Sequence, residues 1–190
     1  MQAHDINKLG NFIAGWFSPA DDLCARLIEY HRLNPDSKPG RLGQRVDITK
    51  KDSVDCILED QNLLAEYAEY LMQSVNCYKQ LYPWCDNFSA WSILEPINIQ
   101  HYQPGSAYHA WHTERPSAAW PSVTRHLVFM TYLNTISDGG HTEWIHQNCQ
   151  IQPQAGLTVI WPADWCFTHR GLVSANQDKY IITGWFNYQW

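Results

Sequence analysis

Residues 125–145 read RHLVFMTYLNTISDGGHTEWI. The first nine positions are rich in β-branched and aromatic side chains and contain neither Gly nor Pro, which predicts a strand. Residues 134–140 (NTISDGG) supply the Asn, Ser, Asp and Gly of a turn, and residues 142–145 resume a strand. Toward the C-terminus, residues 157–161 (LTVIW) and 179–186 (KYIITGWF) predict two more strands. On the other side, residues 93–102 are extended but include Pro96, which suits an edge or a bend. Short strands broken by Gly, Asp and Pro point to an antiparallel sandwich or jelly roll.

Before residue 91 the pattern is helical. Ser18-Pro19 reads as a helix start, a Ser N-cap with Pro in the first turn, followed by Asp21 and Asp22 at the positive end of the dipole. Leu23, Leu27 and Ile28 make its apolar face, Asn34-Pro35 ends it, and residues 36–43 (DSKPGRLG) read as a loop. A longer helix is predicted over residues 62–82. There Leu64, Ala68, Leu71, Val75 and Tyr78 alternate spacings of four and three, and Pro83 stops the run. The expected architecture is α+β and mainly β, a single domain over residues 1–190. Residues 1–90 are its mainly helical support, packed against a double-stranded β-helix, a cupin-like jelly-roll barrel, over residues 91–190.

Composition narrows the function. The chain is 45% hydrophobic and 17% charged, a globular balance. A net charge of −6 argues against general binding to a nucleic-acid backbone, which needs a basic face. No stretch approaches the roughly 20 apolar residues of a membrane span. Residues 1–11 (MQAHDINKLGN) lack a basic start followed by an apolar run, so no secretory signal is expected. The six cysteines include no Cys-x-x-Cys pair and read as reduced thiols of a cytoplasmic protein. Ten Trp and ten Tyr either fill the core or line a groove for an extended peptide or a ring.

Residues i and i+2 of a strand share a face, so His112 and Glu114 of a His-Thr-Glu triplet can converge on one ion. One strand cannot enclose a metal. A third ligand has to come from elsewhere, and His169, followed by Arg170-Gly171, stands after the strand at 157–161. Two histidines and one carboxylate are the set that holds non-haem Fe(II) on one face and leaves positions open for oxygen chemistry. Lys179 can hold the far carboxylate of an oxo-acid co-substrate as a point charge. A second triplet, His141-Thr142-Glu143, directly follows Asp138-Gly139-Gly140. It is the alternative ligand pair, or else two side chains near a barrel mouth.

These parts form an ordered series: residues 98–105 (NIQHYQPG), Tyr108 and His112-Thr113-Glu114; residues 125–134 with Gly139-Gly140-His141-Thr142; Gln152-Pro153 through Gly156; the strand at 157–161; His169-Arg170-Gly171; and KYIITGW at 179–185. Over about residues 97–186 the series resembles the 2-oxoglutarate- and Fe(II)-dependent dioxygenases, specifically their prolyl 4-hydroxylase-like branch. One position departs from that pattern, which has His-x-Asp where this chain has Glu114. The extra methylene lets the carboxylate reach further, so metal binding is expected to persist with the strand set back slightly.

The resemblance implies that His112, Glu114 and His169 hold Fe(II) and that Lys179 pairs with the distal carboxylate of 2-oxoglutarate. It further implies that Tyr102 donates a hydrogen bond to that carboxylate, that Tyr132 forms another wall of the pocket, and that Thr183 adds a polar contact, with Trp185 near the metal side. Arg115 is a candidate to orient Glu114, and His109 and His126 read as structural. The implied reaction uses Fe(II), 2-oxoglutarate and O2, with ascorbate as reductant. It hydroxylates an unactivated C–H and releases succinate and CO2. Peptidyl proline is the expected substrate, with Trp111, Trp120, Trp144 and Trp165 as an aromatic mouth for an extended chain. Rival readings are a hydroxylase of a free amino acid or other small molecule, a cupin-like metalloenzyme that does not activate O2, and a non-catalytic peptide-binding module. Without a dicarboxylate co-substrate, Lys179 has no evident job.

Overall fold

In the computed structural model, which describes residues 1–17, 21–43 and 45–189, the strands predicted over residues 125–133, 142–145, 157–161 and 179–186 form close to their expected bounds, whereas the stretch expected to be extended over 93–102 becomes a strand only from Asn98. In chain order the elements begin with β1 (Gln2–Ala3), β2 (Ala14–Phe17), helix α1 (Asp21–Leu33), β3 (Lys38–Pro39), β4 (Val54–Ile57) and helix α2 (Gln61–Leu81). They continue with β5 (Trp91–Ser92), β6 (Asn98–Tyr102), β7 (Arg125–Tyr132), β8 (Thr142–Trp144), β9 (Cys149–Ile151), β10 (Leu157–Pro162), β11 (His169–Gly171) and β12 (Lys179–Tyr188). Ser18 and Pro19, read as the start of the first helix, lie outside the described residues.

The fold is a mainly antiparallel double-stranded β-helix carrying two helices. A nine-stranded sheet runs β1-β2-β10-β7-β12-β6-β4-β3, with β5 added at the end of β12, and a three-stranded sheet runs β11-β8-β9. The first half, expected to be mainly helical, also supplies β1 to β4. Ala14–Phe17 and Val54–Ile57 are four residues each, too short for a period to show. Residues 36–43, expected as loop, contain the edge strand β3, where Lys38 and Pro39 pair with Asp55 and Val54. Proline is tolerated there because an edge strand leaves one side of its ladder unpaired.

Period-two alternation sorts the long strands into two faces. Tyr180, Ile182 and Phe186 of β12 join Ile99, Leu127, Phe129 and Ile160 in a core covered by Leu23 and Leu27 of α1 and by Tyr67, Leu71, Val75 and Tyr78 of α2. The predicted stripe on α2 is therefore real at Leu71, Val75 and Tyr78, and it is widened by buried Tyr67, Tyr70 and Ser74. Asp60 caps α2 by accepting from the backbone of Asn62 and Leu63. Under the helix, Tyr67 Oη, Thr131 Oγ1 and Thr158 Oγ1 form a buried hydrogen-bonded chain (2.9 and 2.7 Å) that pairs these three hydroxyls. The other face of the same strands, with Tyr102, Met130, Trp161 and Ile181, turns inward toward the small sheet.

Gly184 is the one gap in this alternation. It stands opposite Phe129, whose ring lies so close that a Cβ on residue 184 would come within 2.4 Å of Cζ. The ring packs against Tyr67 and Phe186, which any retreat would disturb. Gly184→Ala is expected to destabilise the fold by about 1–3 kcal/mol, the usual cost of overpacking. A lower denaturant midpoint at unchanged slope in an unfolding titration would register this. No helix among the described residues is long and apolar enough to cross a membrane.

Candidate active site

The inward face encloses a cavity of about 1170 Å³ lined by both sheets. Its central polar feature is built by one isolated β-bridge. His112 and His169 are direct antiparallel partners, each donating its backbone N–H to the other's carbonyl, at 3.0 and 2.9 Å. Directly paired residues put their side chains side by side on one face. Glu114, two positions on, joins that face, and the ligand atoms of the three side chains lie within 4.8 Å of one another.

Each imidazole is turned by its own chain. His112 Nδ1 is 3.0 Å from the Ala110 carbonyl and His169 Nδ1 is 3.0 Å from the Phe167 carbonyl. A carbonyl only accepts, so both protons sit on Nδ1 and both Nε2 lone pairs point inward. They face Glu114 Oε1 at 3.5 and 3.4 Å. Burial, and after it the neighbouring His169, pushes the His112 imidazolium below its ordinary range. Burial alone would raise the Glu114 carboxyl, and it is the hydrogen bonds and charge of His112 and His169, when their Nε2 atoms carry a proton, that hold it well below the usual carboxylate range; with neutral imidazoles that positive charge has to come from a bound cation. Two lone pairs and a carboxylate oxygen aimed at one point repel one another unless a cation sits between them. The donor set therefore fits a divalent metal of the iron type. Tyr108 stacks flat on His112 at 3.6 Å, and Trp161 and Trp144 pack against His169, so the rings have little freedom.

Lys179 opens β12 opposite Tyr102 of β6. Its ammonium is buried, donates to the Gly140 carbonyl at 2.6 Å, and lies 5.8 and 5.5 Å from the ring centres of Tyr102 and Tyr132. Among the described residues it has no acidic partner, and burial pushes its pKa down to about 7. Lys51, equally buried at the same cavity, is neutralised by Asp55 at 2.6 Å. Of the two cations, only Lys179 is left wanting an anion.

The supporting residues take varied places. Tyr102 lines the cavity and donates to Gln100 Oε1 at 2.7 Å. Tyr132 sits one layer back, its ring beside the Lys179 ammonium and its hydroxyl donating to that of Thr142 at 2.6 Å. Thr183 lines the cavity while its hydroxyl donates to the Phe129 carbonyl. Asn98, Gln100 and Tyr102 alternate onto the cavity face of β6, so Gln100 was legible as a neighbour of Tyr102 from period two alone. Arg115 turns away to pair with Asp164, and it is Arg125 that reaches Glu114, donating to its backbone carbonyl at 2.7 Å. The second triplet is no ligand pair, since Glu143 is paired with Arg170 at 2.9 Å. Of the four tryptophans expected at the mouth, only Trp111 lines the cavity. Trp144 is fully buried in the core, and Trp120 and Trp165 are exposed elsewhere.

The pattern of the 2OG-Fe(II) oxygenase superfamily matches residues 97–187, a span that contains His112, Glu114, His169 and Lys179. Residues 97–187 belong to the 2OG-Fe(II) oxygenase superfamily. Those residues carry a 2-oxoglutarate-dependent dioxygenase domain, whose chemistry uses Fe(II), 2-oxoglutarate and O2. Solved oxygenase structures share its fold. A prolyl-4-hydroxylase from Pseudomonas putida matches with a TM-score of 0.71 at 20% identity, covering 93% of each chain. The viral collagen prolyl hydroxylase of Paramecium bursaria Chlorella virus-1, in its 2OG complex, matches with a TM-score of 0.68 at 16% identity, covering 95% of this chain and 98% of that one. A prolyl hydroxylase from Trichoplax adhaerens, in complex with a hypoxia inducible factor peptide fragment, matches with a TM-score of 0.74 at 14% identity, covering 96% and 87%. No match is found among the curated proteins.

Proposed function

We propose that this chain, acting as one domain over residues 1–190, hydroxylates proline within an extended peptide. His112, Glu114 and His169 hold Fe(II), and Lys179 binds the distal carboxylate of 2-oxoglutarate. The observation that carries the reading is the pairing of a convergent two-imidazole, one-carboxylate set with a buried, unneutralised ammonium at one cavity. The peptidyl substrate is supported by the shared fold with three prolyl hydroxylases.

The bound metal supplies the oxidation chemistry, and the protein binds, orients and shields. The carbonyls of Ala110 and Phe167 keep both Nε2 atoms unprotonated and aimed. Lys179 meets the anionic end of the co-substrate, with the Tyr102 and Gln100 polar groups beside it. Met130, Ile181 and Trp161 form apolar wall that excludes water from the reacting region.

Trp111 stands at the cavity rim with one ring face covered by the Arg170 guanidinium at 4.4 Å, and Arg170 is anchored in turn by Glu143. A ring propped in this way is a firm plate for a pyrrolidine ring. Trp111→Ala is expected to raise KM for a proline peptide by roughly 10-fold, the scale of losing an aromatic anchor, and to leave the KM for 2-oxoglutarate unchanged. The deciding assay is Fe(II)-dependent succinate release with mass spectrometry of proline-rich peptides and of free proline. One added oxygen on the peptide supports the reading, whereas oxygen added to free proline alone replaces it with the small-molecule one.

A further inference from the structure

Glu114 has one more methylene than the aspartate of the resembled pattern, and so one more bond about which its carboxylate can turn. Its two oxygens meet different surroundings. Oε1 faces the two imidazoles. Oε2 accepts a hydrogen bond from Trp185 Nε1 at 3.0 Å. Arg125 lies on the Trp185 ring, its guanidinium carbon 3.5 Å from the ring centre, with Nη1 3.8 Å from Oε2. Behind it, Glu95 grips Arg125 with two bonds of 2.8 and 2.6 Å and accepts a third from Asn187 at 2.9 Å. The Arg125–Glu95 pair is largely buried, so its fork geometry is held by packing and not only by charge.

We propose that Trp185, backed by Arg125 and Glu95, is a positioning residue that holds Glu114 as a one-oxygen ligand. The proposal rests on the ligand assignment made above. A carboxylate free to turn can offer both oxygens to a cation. The second oxygen would then take one of the positions that must stay open for co-substrate and O2. By occupying Oε2, the indole N–H removes that alternative and restrains the extra torsion that glutamate brings.

The test uses Co(II), a redox-silent probe, titrated into the full chain and followed by visible absorption, with melting curves recorded alongside. Trp185→Phe keeps the aromatic ring and removes the donor. Glu114→Asp retracts the carboxylate by about 1.5 Å, one C–C bond, out of reach of the indole. Trp185→Phe is expected to weaken Co(II) binding about 10–100-fold, the usual scale for partners of a ligand. In the Glu114→Asp background the same change is expected to cost less than about twofold, because no bond remains to lose. An unchanged affinity in Trp185→Phe, or an equal loss in both backgrounds, overturns the proposal. A purely structural Trp185 would give that equal loss. If Trp185→Phe does not fold, Glu114→Asp alone decides: a 10–100-fold weakening supports the clamp, and wild-type affinity overturns it. His169→Ala separates the two layers of argument. Co(II) binding that survives it removes the ligand assignment itself, whereas its loss there beside a wild-type Trp185→Phe removes only the clamp.

Discussion

His169→Ala is expected to cut Fe(II)-dependent succinate release by more than about 100-fold, beyond the loss typical of an outer partner of a ligand. The backbone of residue 169 bridges that of His112 through two hydrogen bonds that alanine retains. The strand contact and the place of Glu114 should therefore survive the substitution, and what is lost is one of three donors. The two that remain sit two positions apart on one irregular segment, where only His112 makes a β-bridge, an arrangement that cannot close around a cation. The ring also fills space between Trp144 and Trp161, so a modest fall in melting temperature should accompany the loss. A matching circular dichroism spectrum separates loss of metal from loss of fold. Robust turnover in this variant would remove the metal assignment.

Lys179→Met is expected to have effects of opposite sign on stability and on co-substrate binding. In the free protein the ammonium is buried without an anion, and methionine of similar length should fit the site and raise stability. Binding of 2-oxoglutarate should weaken by about 100–4,000-fold, since the distal carboxylate would be buried unpaired at a cost of roughly 3–5 kcal/mol. The pH dependence follows from burial. The Lys179 pKa is depressed to about 7 in the fold against 10.5 for an ordinary lysine. Between these values the unfolded chain binds more protons than the folded one. Stability therefore rises with pH from about 7 toward 10 in the wild type, and Lys179→Met loses that rise. The dianionic co-substrate selects the protonated amine, so its affinity should fall by up to about tenfold per pH unit above about 7. Lys179→Arg, charged throughout, should flatten that profile. The neighbouring groups titrate elsewhere. Burial pushes Tyr102 and Tyr132 upward, and His141 is pushed below 6.5 by burial and then by the ammonium itself. Differential scanning calorimetry and isothermal titration across pH 6–10 measure both effects.

The second half of the chain declared its strands because Arg125–Tyr132 and Lys179–Tyr188 are long enough for composition and turn chemistry to show. The first half concealed four strands because each spans two to four residues. Such segments exist only through the neighbours that complete their ladders, so no local signal marks them. Among site residues, Gln100 was readable from alternation with Tyr102. The roles of Arg115 and Arg125 were not, since Arg115 adjoins Glu114 in sequence yet pairs with Asp164, while Arg125 comes back to Glu114 from another strand.

By itself the sequence determined the residue types, the i, i+2 geometry of His112 and Glu114, and the strand pattern that the family comparison shares over residues 97–187. Only the tertiary structure decided that His169 stands directly across from His112, that the second triplet is tied to Arg170, and that Lys179 alone of the two buried lysines at the cavity lacks a carboxylate. The reason is physical. Alternation and turn chemistry act between near neighbours along the chain, whereas register, burial and charge pairing depend on which distant strands the sheet brings side by side.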